Sequence, residues 1–202
     1  MRTFDIDLLI FVASIVANLS LAYVVFLHAQ DTKRKYAFIA FVCAQTAWAV
    51  TNYFSFRMAS PETFLWFARF TLFFAVFHTY AFFFFAQSFS NNLINRWLGR
   101  MLGVIAVTVA GTALSPLTFT MLDVNTLGEF NPRTGPGMAV FGVFDMFMLL
   151  GGLAVLIKTF SGSKDERRQQ IKYLLFGLGL TVAMILVLIL LNFLFLGNLT
   201  LI

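Results

Sequence analysis

Residues 62–89 read ETFLWFARFTLFFAVFHTYAFFFFAQSF. As a helix rising 1.5 Å per residue this run is about 40 Å long, more than the ~30 Å of hydrocarbon in a bilayer. Only Glu62, at its start, and Arg69, inside it, carry a charge. Such a run must satisfy its own backbone hydrogen bonds in lipid, which leaves helix as the one choice. Five further runs of similar length flank it, roughly 6–28, 36–57, 96–121, 138–160 and 170–197. The reading is an all-α, polytopic membrane bundle of six transmembrane helices. It forms one integral membrane domain over residues 1–202, with no soluble domain and no repeat. The joining segments are short except 122–137. There Gly, Pro and Asn cluster, which predicts an irregular loop or short lid.

Composition agrees. The chain is 60% hydrophobic and 17% aromatic, with 11% charged residues and a mean hydropathy of +0.86. A soluble domain of this size carries about twice that share of charge. The first run, from Ile6 to about Ala29, exceeds a typical signal-peptide core and has Asp5 and Asp7 ahead of or within it, so it reads as a retained span. The net charge of +5 does not point to nucleic acid, because the basic residues sit beside apolar runs.

Their placement sets a direction. Lys33, Arg34 and Lys35 lie in the first loop, Arg96 and Arg100 in the third, and Lys158, Lys164, Arg167, Arg168 and Lys172 in or beside the fifth. The opposite side holds Arg2, Arg57 and Arg133. Cytoplasmic loops accumulate Lys and Arg, so the odd loops are expected inside and the N-terminus outside. Six spans place the C-terminus outside too. Output from a sensor would then come through a further span or a partner.

Ionisable side chains within spans are costly and hence candidate functional groups. Arg69 on the third span and Asp145 on the fifth each lie about seven residues from the outer end, roughly 10 Å deep. Matched depth predicts an ion pair across the bundle. Asn52 and Asn192 sit near the outer ends of spans two and six and complete a polar cluster. Gln45, Trp48 and Asn52 share one face of the second span, and Arg69, Tyr80 and Gln87 one face of the third. His78 falls on the face opposite Arg69. The candidate ligand-binding set is therefore Arg69, Asp145, Asn52, Asn192, Trp48, Gln45 and Tyr80. Each has a structural alternative: a clamp for Arg69 with Asp145, interhelical hydrogen bonding for the amides including Asn18, and packing for His78. The Phe82–Phe85 run reads as core and lipid contact. Gly151 with Gly152, and Gly177 with Gly179, read as sites of close helix approach.

No catalytic set is visible: there is no Ser-His-Asp arrangement, no phosphate loop and no paired carboxylates. The chain reads as a non-enzyme. Cys43 is the one cysteine and there are two histidines, so neither a metal nor another cofactor is expected. No lysine lies mid-span to hold a retinal-type chromophore.

The stretch Arg167-Arg168-Gln169-Gln170-Ile171-Lys172-Tyr173-Leu174-Leu175-Phe176-Gly177 resembles the start of the sixth span in the seven-helix sensor region at the N-terminus of bacterial histidine kinases. Trp48 in Ala47-Trp48-Ala49 is similar to that family's second-span Trp, and Arg69 in Trp66-Phe67-Ala68-Arg69-Phe70 to the Arg near the start of its third. Phe84-Phe85-Ala86-Gln87-Ser88-Phe89 is similar to the end of that span. The resemblance implies a sensory, ligand-binding membrane module of a two-component system, multi-pass in the cytoplasmic membrane of a bacterium. It departs from the family in showing six spans and neither the phospho-accepting nor the ATP-binding region of a kinase. Expected partners are the lipid bilayer, a small-molecule or lipid ligand, and a second copy or a separate output kinase. The competing reading is a small six-helix transporter or the substrate-binding subunit of an importer.

Overall fold

A computed structural model describes residues 6–55, 57, 58, 60–90, 94–124, 130–164 and 167–180. Its elements are α1 (Ile6–His28), α2 (Thr32–Ser55), α3 (Pro61–Gln87), α4 (Arg96–Ala113), β1 (Phe119–Val124), β2 (Phe130–Thr134) and α5 (Gly137–Gly162). Residues 167–180 are helical as well. The fold is all-α apart from one small hairpin. Among the described residues four helices are long and apolar enough to cross a membrane: Leu8–His28, Thr32–Ser55, Pro61–Gln87 and Gly137–Gly162. The expected sixth span continues past residue 180 and lies mostly outside the described residues.

The chain divides into two compact units, Met1–Ala154 and Val155–Ile202. In the first, α3 is the element that α2, α4, α5 and the hairpin share. It starts where Ser60 holds an extended backbone and Pro61 takes the first helical position, with Glu62 in the first turn. Proline suits that position because its missing N–H would have no partner there. α2 runs antiparallel to α3 along an aromatic seam. Phe38 meets Phe85 at 5.3 Å between ring centroids, Phe41 meets Phe82 at 5.8 Å, and Phe54 meets Phe67 at 6.2 Å. α1 lies on α2, with Phe11 stacked on Tyr53 at 3.9 Å and Lys35 donating to the Phe26 carbonyl at 2.8 Å.

On the other side of α3, Val76 and Phe83 join Leu102, Ala106, Val109 and Ala110 of α4 and Phe144 and Met148 of α5 in one buried cluster. Close approach of α5 depends on a missing side chain. A β-carbon on Gly152 would lie 2.6 Å from Phe82 Cε1, and one on Gly151 3.1 Å from Phe83 Cε2. Close packing over these glycines is what their spacing predicts. A β-carbon built on Gly177 or Gly179 meets nothing within 4 Å among the described residues.

The first join meets the end of α3 through Arg34. Arg34 Nε donates to the Ser88 carbonyl at 3.4 Å, pairs with Asp31 at 3.1 Å, and its guanidinium lies 5.2 Å from the Phe89 ring centroid.

The fourth apolar run, expected over 96–121, divides. The helix stops at Ala113, because Pro116 cannot supply a helical N–H. The hydroxyls of Ser115 and Thr118 both donate to the Thr112 carbonyl, at 2.7 and 2.8 Å, and so satisfy the end of the helix. The chain then becomes a strand. Residues 122–137, expected to be irregular, contribute to an antiparallel hairpin in register from Phe119 opposite Thr134 to Val124 opposite Phe130. A bulge lies between Phe119 and Met121. Main-chain bonds from Gly135 to Thr118 and from Gly137 to Leu117, both 2.8 Å, close its base. Gly135 is required there, since a β-carbon would collide with the Leu117 carbonyl.

The second unit is described over the end of α5 and the helical residues 167–180. Within it the Arg168 guanidinium lies 5.1 Å from the centroid of the Phe160 ring.

Candidate functional site

Arg69 lies two turns into α3 and is only 7% exposed. Its Nη2 donates to the main-chain carbonyl of Phe119 on β1 at 2.9 Å. Its guanidinium carbon lies 5.4 Å from the centroid of the Trp66 ring, one turn earlier on the same helix. Its Nε is buried and has no hydrogen-bond partner. Arg69 forms no ion pair among the described residues. Among the described residues this cation is thus balanced by one carbonyl dipole and one indole face. A buried charge without an opposite charge costs several kcal/mol.

The expected partner is elsewhere. Asp145 sits against the Thr79 hydroxyl of α3, and its Oδ1 is buried with no hydrogen-bond partner. Thr79 follows Arg69 by ten residues, about 15 Å along the helix. The matched depth fails because α5 does not start level with the Pro61 end of α3. Arg69 bonds to Phe119 and Gly137 bonds to Leu117, so the first residue of α5 lies level with Arg69. Asp145 is then two further turns in. The strands β1 and β2 take up that length as hairpin instead of helix.

Helical phase on α3 is as the sequence spacing predicts. His78 faces α2, away from Arg69, and is stacked between Phe41 at 5.1 Å and Trp48 at 6.0 Å. Trp48 is therefore on the side of α3 remote from Arg69. Tyr80 faces α4: its hydroxyl would be 3.1 Å from a β-carbon on Gly103. Asn52 is near the level of Arg69, since Phe54 meets Phe67, but it is carried on α2. Gln45 Oε1 is buried and unpartnered, as are Thr46 Oγ1 and Gln87 Oε1. Asn192 lies outside the described residues. The candidate set thus separates into Arg69 tied to the hairpin, a Trp48–His78 aromatic stack, an α4-facing Tyr80 and an Asp145 farther along α3 beside Thr79.

Three participants were not anticipated. The Phe119 carbonyl belongs to the main chain and leaves no mark on the residue pattern. Trp66 stands three residues before Arg69, a spacing that places two helical side chains side by side and could have revealed it. Thr79 carries no charge and did not stand out among apolar neighbours. Among the described residues no three His, Cys, Asp or Glu side chains converge on a point.

A family model described as the N-terminal 7TM region of histidine kinase matches residues 9–202. No curated protein and no solved structure matches the chain.

Proposed function

The chain belongs to the family of N-terminal 7TM regions of histidine kinases, and we propose that it senses an anionic ligand through Arg69. It is a membrane sensory region with helices able to cross the bilayer. The observation that carries the ligand reading is the buried Arg69 guanidinium, held by a neutral carbonyl and with its Nε unpartnered. A ligand carboxylate or phosphate forms charge-assisted hydrogen bonds there, worth about 1.5–3 kcal/mol each against about 1 for a neutral one. It wins Arg69 from Phe119 and so changes how the hairpin is tied to α3. A ligand shifts a signalling equilibrium only through unequal affinity for two arrangements. The tied and released hairpin are those two arrangements.

In this reading Asn52 supplies a polar contact from α2 at the same level. Gln45, Trp48, Tyr80 and Asp145 lie deeper or on other faces and transmit the change through helix packing. The six-span topology with the N-terminus outside puts the hairpin on the outer side, open to a small molecule or to an outer-leaflet lipid. The cytoplasmic membrane of a bacterium suits a two-component partner kinase on the inner side.

The test is a chimera of this chain with a histidine-kinase output domain, exposed to a library of amphiphilic carboxylates and phosphates. Arg69→Ala is expected to reduce the response at least about tenfold while membrane insertion is kept. An undiminished response in that variant refutes the ligand role.

A further inference from the structure

At the end of α3 where Arg34 meets Ser88, the α3–α4 interface opens. Deeper in, the two helices touch through Ala106 and Ala110, both essentially buried. Toward the start of α4 a groove of about 460 Å³ separates them, lined chiefly by Tyr80 and Phe84 of α3 and by Arg96, Gly99, Arg100 and Gly103 of α4. Gly99 and Gly103 are one turn apart, and their absent side chains make the space. A β-carbon on Gly99 would already touch the Phe84 ring at 3.7 Å, and one on Gly103 the Tyr80 hydroxyl at 3.1 Å.

The groove has a distinct chemistry. Arg96 and Arg100 are four residues apart on one helix and so project on the same side. Neither makes an ion pair among the described residues. No carboxylate lines the groove. The Tyr80 hydroxyl, about two turns in from the end of α3, makes no hydrogen bond to another described residue. Beyond the arginines the outer face of α4 is apolar and open, with Val104 68% and Val107 63% exposed. Trp97, beside Arg96, is 67% exposed, as aromatic side chains at a membrane interface are.

Two cations at the mouth of the groove, a hydroxyl donor farther along it and an exposed apolar strip beyond the arginines match one kind of molecule. We propose that this groove binds an anionic phospholipid. Arg96 and Arg100 hold the phosphate, the Tyr80 hydroxyl donates to an oxygen of the phosphate or of a glycerol ester, and an acyl chain lies over Gly103 and along Val104 and Val107. Basic pockets between membrane helices take acidic headgroups by the same attraction. Free phosphate shares the arginine contacts but has nothing to fill the apolar strip.

Native mass spectrometry of the full chain in mild detergent tests this, with phosphatidylglycerol and phosphatidylcholine of identical acyl chains as probes. The wild type is expected to retain phosphatidylglycerol about tenfold better. Arg96→Gln with Arg100→Gln brings the two lipids level. Tyr80→Phe weakens retention by roughly two- to tenfold, the worth of one hydrogen bond. Lys164→Gln with Lys172→Gln removes the same charge elsewhere and changes nothing. Excess inorganic phosphate does not displace the lipid. Should the arginine pair lose its helical circular dichroism, Gly103→Val decides in its place, filling the groove with no change in charge and costing the phosphatidylglycerol preference. Equal loss from the lysine pair, displacement by inorganic phosphate, or full retention in the arginine pair or in Gly103→Val overturns the proposal.

Discussion

Arg69 of α3 donates to the main-chain carbonyl of Phe119 on β1 across 2.9 Å, and this bond ties a transmembrane helix to a hairpin. The tie is made by a charged group to a neutral one, so an anion that reaches the guanidinium competes on favourable terms.

If Arg69 serves recognition more than stability, replacing it with an apolar residue of similar length relieves a buried charge. Arg69→Met is expected to hold or raise the thermal midpoint in detergent, as removal of uncompensated buried charge does elsewhere. Amides of β1 and β2 then exchange with deuterium faster, because the hairpin has lost its anchor. A midpoint lowered by several degrees identifies Arg69 as a clamp instead.

Asp145 offers a parallel case. Its Oδ1 is buried without a partner inside a span, and a carboxylate in that setting is a liability. Asp145→Asn keeps the shape and removes the charge. It is expected to raise stability by about 1 kcal/mol, a shift of roughly 2–4 °C for a chain of this size. A clear loss of stability means that an ionised Asp145 has a counter-charge in the membrane.

Gly152 approaches Phe82 so closely that a β-carbon would meet the ring at 2.6 Å. Gly152→Leu overfills the interface and is expected to cost about 1–3 kcal/mol, read as a lowered thermal midpoint. Pairing it with Phe82→Ala returns much of the loss. Independent, additive losses in the double variant contradict the contact.

Orientation is open to direct labelling. In a Cys43→Ser background, Lys33→Cys and Arg133→Cys sit on opposite sides if the basic residues mark the cytoplasm. A membrane-impermeant maleimide added to intact cells is expected to label Arg133→Cys and spare Lys33→Cys. The reverse pattern inverts the topology.

Local regularities were legible in the residues. A period of 3.6 places His78 and Arg69 on opposite faces of α3, and His78 indeed stacks on Phe41 and Trp48 of α2. Ser60 and Pro61 mark the start of that helix. The hairpin was harder to see, because Thr118, Phe119, Met121 and Leu122 continue the apolar character of the fourth run. Hydropathy records apolarity and does not separate a buried strand from a helix. That one ambiguity moved Asp145. Counting from an assumed common starting level gave Arg69 and Asp145 equal depths, and the hairpin lowers the start of α5 by two turns. The family resemblance was carried by short motifs in separate spans, such as Trp66-Phe67-Ala68-Arg69-Phe70, and it did not depend on relative depth.

The base of the hairpin is pinned by the pairing of Phe119 with Thr134 and by the bonds from Gly135 and Gly137, and the ladder runs from there to the pair Val124–Phe130. Insertions and exchanges beyond that last pair leave the Phe119 carbonyl where Arg69 finds it. The chain therefore has a place where chemical preference can diversify between descendants while the apparatus in the membrane is inherited unaltered.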